Sequence, residues 1–397
     1  MSDYFPKDII QEILQRLPTK CLIKCTLVCK PWRSLIQSPS FIHSHLRRTI
    51  HSNNQDAAVG LLLLRAFAGN ENSALYSLRW DNSETGEHSK LVNPYPYIKE
   101  AIFSPSERVV VRDFHVVGAC NGLVCLAVDF AYVGSQTIIW NPSVRKFVTL
   151  PRRGVSLSKT GKHRASYAFG YDSRTNDYKV LRSTSNRYGK TPCEVEIWSL
   201  LRGSWKSLSA AVVPEDFMFG VYNNRNVVPG NFGPVDKHAF VNGALHWVQR
   251  RTVGEDKFIL WFHMGSELFG EIMMPEGLTR ERCFVLRYEE SLALLKSEEL
   301  QGNCSKFDIW VMKEHGVVES WTKLFTVHLQ RHMLEPFCFT RSGELVFKMC
   351  GSGRRLLKVD LKTEEFKYFG IDGYMCHFMD SFVESLVLLG QANAISY

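Results

Sequence analysis

The runs Ile138-Ile139-Trp140-Asn141 and Phe147-Val148-Thr149-Leu150, with a short polar turn between them, decide the fold. The first run is apolar with an aromatic near its end. The second starts aromatic and ends in leucine. Runs this short, bounded by turn residues, suit buried strands rather than helices. The same pair recurs as Val195-Glu196-Ile197-Trp198 with Trp205-Lys206-Ser207-Leu208, and as Ile259-Leu260-Trp261-Phe262 with Phe269-Gly270-Glu271-Ile272. It returns as Ile309-Trp310-Val311-Met312 with Trp321-Thr322-Lys323-Leu324, and as Leu356-Leu357-Lys358-Val359 with Phe366-Lys367-Tyr368-Phe369. The tryptophans stand 58, 63 and 49 residues apart, and the fifth copy lies 49 beyond Trp310.

A period near ~50 residues is that of four-stranded propeller blades. Upstream of most copies is an inner pair marked by glycine: Asn121-Gly122, Gly170, Asn242-Gly243 and Ser342-Gly343. Asn-Gly and Ser-Gly between apolar runs signal tight hairpin turns. Gly60 to Trp80 reads as the outer part of a further blade. Its inner strand is expected from the last apolar run, Ser385 to Leu389, which would join the two ends and remove open sheet edges. The expectation is an all-β domain over residues 59–397, a β-propeller of six blades, with five and seven as alternatives.

Residues 1–46 have a different texture. Ile9, Ile10, Ile13, Leu14 and Leu17 recur at helical spacing after Pro6, and Pro18 ends that helix. Thr19 is placed to cap a second helix bearing Leu22, Ile23 and Leu27. Pro31 opens a third bearing Trp32, Leu35 and Ile36, and Pro39 stops it. Residues 47–58, with the polar stretch Ser52-Asn53-Asn54-Gln55-Asp56, read as a linker. A three-helix piece this small cannot bury its own apolar surface and needs another domain or a partner.

The chain has 397 residues and a net charge of +8. Residues 1–55 hold eight Lys/Arg against three acids, and Arg145 to Arg164 has seven Lys/Arg and no acid. The first excess favours an acidic partner; the second reads as a basic surface loop. No apolar run is long enough for a membrane helix, and no secretion signal is visible. The eleven cysteines form no regular framework, so reduced thiols and a cytoplasmic or nuclear location are expected. Cys21, Cys25 and Cys29, four apart, lack the companions of a metal site.

The string from Phe5-Pro6 through Ile9-Ile10, Ile13-Leu14, Arg16-Leu17-Pro18, Lys20 and Leu22, then Val28-Cys29-Lys30, Trp32-Arg33 and Leu35-Ile36, resembles an F-box. The β part is similar to the plant F-box-associated, kelch-like domain. The phrases that carry this are Cys120-Asn121-Gly122-Leu123-Val124-Cys125, Trp140-Asn141-Pro142-Ser143, Phe169-Gly170-Tyr171-Asp172 with Asp177-Tyr178-Lys179-Val180, Asn242 to Trp247, and Ile309 to Met312 with Glu319 to Lys323. The resemblance implies a module docking on a Skp-type adaptor, and through it a cullin–RING ubiquitin ligase. It implies a docking surface drawn from Phe5, Pro6, Ile9, Ile13, Leu17, Pro18, Leu22, Val28, Cys29, Trp32 and Leu35. Two departures stand out. Cys25 replaces a larger apolar residue, and His263 replaces the usual acid after the aromatic, so the turn there must be held differently.

Catalytic motifs do not emerge. Asp172 and Asp177 flank a turn and are read as structural. His246 beside Trp247 is read as a bonded core histidine. No metal, phosphate-loop or nucleophile motif is present, and no cofactor, nucleic-acid or membrane partner is expected. The expected role is a non-catalytic substrate receptor for an unidentified protein target, held on one propeller face. Loops Arg152 to Arg164, Arg187 to Pro192 and Val221 to Pro234 are candidates for that face. The alternatives are a propeller enzyme, a glycan-binding lectin and a ligase-independent scaffold.

Overall fold

The structure is a computed structural model. It describes residues 6–397 apart from 56–59, 69–73, 83–85, 95, 98–113, 128–135, 152–162, 187–191, 210–211, 215–237, 252–253, 255, 332–333, 350–354 and 370–373. Four helices lead the chain: α1 (Lys7–Gln15), α2 (Thr19–Cys25), α3 (Lys30–Ile36) and α4 (Pro39–Gln55). The fourth corrects the three-helix expectation. Pro39 does end α3, but it also supplies the fixed φ that opens the next helix. That helix seats Phe41 and Leu46 inward and continues through residues 47–55, which had read as linker. Thr19 makes no capping bond; it is the first residue of α2 and is buried. Cys29 precedes α3 rather than sharing a helix with Cys21 and Cys25.

Six antiparallel sheets follow. The first takes β1 (Leu61–Ala68), β2 (Ala74–Trp80) and β3 (Glu87–Leu91). The second takes β4 (His115–Cys120), β5 (Leu123–Ala127), β6 (Thr137–Asn141) and β7 (Lys146–Thr149). The third has β8 (His163–Asp172), β9 (Asp177–Asn186), β10 (Pro192–Ser199) and β11 (Ser204–Ser207). The fourth has β12 (Ala239–Val241), β13 (Ala244–Arg250), β14 (Lys257–His263) and β15 (Leu268–Ile272). The fifth has β16 (Arg282–Tyr288), β17 (Ser291–Leu300), β18 (Cys304–Met312) and β19 (Trp321–Leu329). The sixth has β20 (Leu334–Phe339), β21 (Leu345–Met349), β22 (Leu356–Val359) and β23 (Phe366–Phe369). Then β24 (Tyr374–Phe382) returns to pair with β1 as the inner strand of the first sheet. The molecule is a six-bladed propeller.

Ring closure therefore comes from Tyr374–Phe382, not from Ser385 to Leu389. The latter run had looked more strand-like because it is more continuously apolar. Its side chains serve other cores, described below. The chain end adds β25 (Ile395–Ser396) to the outer edge of the second blade, against β7.

Each blade is buried on both faces, which explains the continuous apolar runs. Along one strand, odd and even side chains enter different inter-blade cores. Leu61 and Leu63 join Trp140 and Phe147 between the first and second blades, while Leu62 and Leu64 join Val346 and Leu356 between the sixth and first. Trp198 and Ile197 divide in the same way between the two sides of the third blade.

The turns follow their residues. Asn121 and Gly122 have φ of 51° and 81°, and Asn242 and Gly243 have 52° and 73°, as a two-residue hairpin turn requires. Asp172 Oδ1 accepts from the Arg174 N–H at 3.1 Å, and Asp177 accepts from the Ser199 hydroxyl and the Leu201 N–H. Burial alone would raise the Asp172 pKa, but bonds from Thr175, Arg174 and Lys179 hold it below the usual range. His263 does stand in for the acid: its Nδ1 accepts from the Ser266 N–H at 3.0 Å.

His246 is fully buried. Its Nε2 lies 2.8 Å from His315 Nε2, and its Nδ1 faces the Ala239 carbonyl at 3.4 Å. Burial first, then His315, push its pKa down to about 3. The unfolded chain protonates near its ordinary value of about 6.5. The stability this group contributes is intact above that value. It is lost as pH falls below it, by up to about 1.4 kcal/mol per unit, until the folded pKa is reached. Denaturant midpoints at about pH 7.5, 6 and 5 should fall in that order, and H246Q should flatten the fall. An equally steep fall in the variant would contradict this assignment.

Candidate adaptor-docking face

The helical module has two unlike sides. Inward, Leu14, Leu22, Ile36 and Phe41 form a core with Leu386 and Leu389 from the chain end. Ile10, Leu17, Ile23, Trp32, Leu35 and Val144 pack around it, partly buried. His45 of α4 is buried and its Nε2 meets the Leu17 carbonyl at 2.9 Å, tying α4 to the end of α1. Burial holds the His45 ring below its ordinary pKa, against the raising effect of that hydrogen bond. Arg33 Nε donates to the Thr26 carbonyl at 3.0 Å, fixing α3 against the end of α2.

Outward, large apolar side chains face solvent: Ile9 is 46% exposed, Ile13 52%, Leu27 76% and Val28 64%. Ile9 and Ile13, one turn apart on α1, line a shallow cleft of about 370 Å³ with Asp8, Glu12 and Arg16. Glu12 accepts from Arg16 at 2.8 Å and from Arg48 at 3.3 Å, and these bonds hold its carboxyl below the usual range. Lys7, Lys20, Lys24, Lys30 and Arg33 of the module are exposed. Exposed apolar side chains on a module rich in cations suit a partner that is apolar at the contact and carries acids.

The residues expected at the docking surface divide. Ile9, Ile13 and Val28 are exposed apolar side chains, and Pro6 and Pro18 are exposed at the starts of α1 and α2. Leu17, Trp32 and Leu35 are half-buried at the edge of the core, and Cys29, just before α3, is half-buried. Leu22 is 0% exposed and belongs to the interior. Phe5 lies outside the described residues. Leu27, expected on the second helix, lies beyond it: α2 stops at Cys25, and Leu27 in the turn that follows is exposed.

A second concavity of about 460 Å³ lies between the fourth and fifth blades, lined by Asn242, Trp261, His263, Ser266, Glu271 and His315 among others. Among the described residues, no three His, Cys, Asp or Glu side chains come together to hold a metal. No helix of the described residues is long and apolar enough to cross a membrane.

The F-box domain family matches residues 3–44, and the F-box-associated beta-propeller domain family matches residues 82–389. The chain belongs to the F-box proteins that carry an F-box-associated β-propeller. Among its relatives, F-box protein CPR1 of Arabidopsis thaliana is 27% identical over 99% of this chain and 91% of its own length. The Arabidopsis F-box/kelch-repeat protein At3g23880 is 26% identical over 88% of each. Of solved structures, the β-propeller domain of the Trilobed protease from Pyrococcus furiosus aligns with 65% of this chain and 83% of its own, at 12% identity and a TM-score of 0.35.

The two sides of the module predict opposite mutational behaviour. L22A should destabilise the chain by about 2–5 kcal/mol, as a buried leucine does. I13A should change stability by no more than about 0.5 kcal/mol. Denaturant unfolding of both variants checks this, and equal losses would contradict the placement.

Proposed function

We propose that this chain is the substrate-recognition subunit of a Skp–cullin–F-box ubiquitin ligase. The module docks on a Skp-type adaptor, and the propeller holds a protein target for ubiquitination. The observation that carries this reading is the one-sided exposure of the module. Its inner face is sealed by the propeller's chain end, yet Ile9, Ile13, Leu27 and Val28 remain uncovered. Isolated exposed leucines are ordinary, but Ile9 and Ile13 share one cleft on α1, and Leu27 and Val28 are neighbours in the turn after α2, on an otherwise packed module.

The topology supports a division of labour between the propeller faces. In a four-stranded antiparallel blade, the first–second and third–fourth connections leave on one face, and all other connections leave on the opposite one. The module core takes in Val144, from the turn between β6 and β7, so it sits on the first of these faces. The strand ends joined by residues 152–162, 187–191 and 215–237 all belong to the second face. Those residues lie outside the described set. A target held on that far face points away from the adaptor, across the thickness of the propeller. The receptor acts by proximity, raising effective concentration while other subunits perform the transfer.

Trp140 and Trp198, which could have offered stacking platforms to a glycan, sit in inter-blade cores, so a protein target is the preferred reading. A cytoplasmic or nuclear setting accords with the free thiols of the described cysteines.

The double variant I13D/V28D should lose at least about tenfold in affinity for a purified Skp-type adaptor while melting like the parent. Titration calorimetry and a thermal melt measure the two. Undiminished binding would overturn the docking assignment.

A further inference from the structure

Residues 383–397 extend beyond the last blade strand and touch both halves of the molecule. Leu386 and Leu389 enter the core of the helical module. Between them, Leu388 turns the other way into the core between the second and third blades, with Val387 partly packed beside it. The Leu389 N–H bonds the Leu386 carbonyl at 2.9 Å and closes a turn in which Leu388 has φ of 72°. That left-handed conformation is strained for a non-glycine residue, so it persists only where the surrounding structure holds it.

The backbone of this segment is held from below by the second blade. Asn141 Nδ2 donates to the carbonyls of Ser385 at 3.0 Å and Val387 at 2.7 Å. Lys146 Nζ donates to the Leu389 carbonyl at 2.9 Å. Further on, β25 pairs with β7, and Trp140 Nε1 donates to the Tyr397 hydroxyl at 2.6 Å. From above, Lys20 of α2 pairs with Glu384 at 3.7 Å. Gly390 lies so close to the module that a Cβ there would meet the Gln37 carbonyl oxygen at 2.6 Å.

We propose that this segment is a splint, with Asn141, Lys146 and Leu388 as positioning residues that fix the docking module at a set angle on the propeller. The proposal rests on the reading of the chain as a ligase receptor. Its consequence is that a target on the far face meets the ubiquitin donor at one distance and orientation. The covalent connection from α4 to β1 joins the module to the propeller at one point only. A second attachment, clamped on both sides, removes the swing that a single connection allows. Effective concentration depends on that swing, because a loose tether dilutes the held target over a larger volume.

The test uses the full chain with and without a Skp-type adaptor, comparing the parent, N141A/K146A and K146R. In N141A/K146A, amide exchange at Leu389 and Gln391, whose N–H groups close turns in the splint, should rise by about tenfold or more. Small-angle scattering of the adaptor complex should show a broadened distance distribution. Self-ubiquitination in a reconstituted ligase, mapped lysine by lysine, should spread to lysines the parent leaves unmodified. Adaptor affinity should stay within about twofold, because neither residue touches Ile9, Ile13, Leu27 or Val28. K146R keeps the cationic donor and should resemble the parent in all four readouts. An unchanged distance distribution and lysine pattern, despite faster exchange, would overturn the splint. So would an adaptor affinity that falls together with them. Should the parent fail to bind the adaptor, the receptor reading falls, while exchange and scattering of the free chain still decide whether the splint is rigid.

Discussion

The pairing of β24 with β1 is the constraint on which the rest of the structure depends. It joins the last blade strand to the first across the whole sequence, from Leu61 against Phe382 to Ala68 against Tyr374. Without it the core between the sixth and first blades loses Cys376 and Met379, and the core between the first and second loses Phe382. Each blade depends on two neighbours to cover its two faces, so an open ring exposes apolar surface at both ends. Closure also brings the chain end back beside the second blade, within reach of the helical module. The position of the module is thus a consequence of how the ring is closed.

The polar chemistry of the interior serves this same architecture. Lys179 is buried, yet it bonds Asp172 of its own blade and the Met264 carbonyl and Glu267 of the next. Lys358 of the sixth blade reaches the Asn82 carbonyl of the first. Arg182 and Glu196 form a buried pair within the third blade. Such groups are costly to bury unless partnered, and here their partners lie across or within blade contacts. They fix register and orientation between sheets whose apolar faces alone would tolerate sliding.

Much of the fold was legible because the third strands are buried on both faces. Ile138-Ile139-Trp140 and its counterparts are apolar but for partnered charges such as Glu196 and Lys358, which made the period visible. The closing strand was hidden for the opposite reason. Tyr374–Phe382 is innermost, and His377, Asp380 and Ser381 break its apolar run. The run that looked more strand-like, Ser385 to Leu389, is apolar because it feeds two cores at once. In the helical module, periodicity grouped Ile9 and Ile13 with Leu14, and only the resemblance separated them; the structure leaves Ile9 and Ile13 exposed and Leu14 buried. Spacing could not place Leu27, whose exposure depends on where α2 ends. Helix ends are decided by local backbone geometry that spacing does not encode. The fourth helix was missed because its last residues, Ser52 to Gln55, are polar in sequence, a composition that reads equally well as a linker.

The proposed docking rests on the exposed apolar side chains of the module, Ile9, Ile13, Leu27 and Val28. The most direct measurement is amide exchange across the full chain with and without a purified Skp-type adaptor. Docking there slows exchange in α1 and around the turn that carries Leu27 and Val28, and leaves the propeller strands unchanged. Protection spread over the blades, or none in the module, would contradict it.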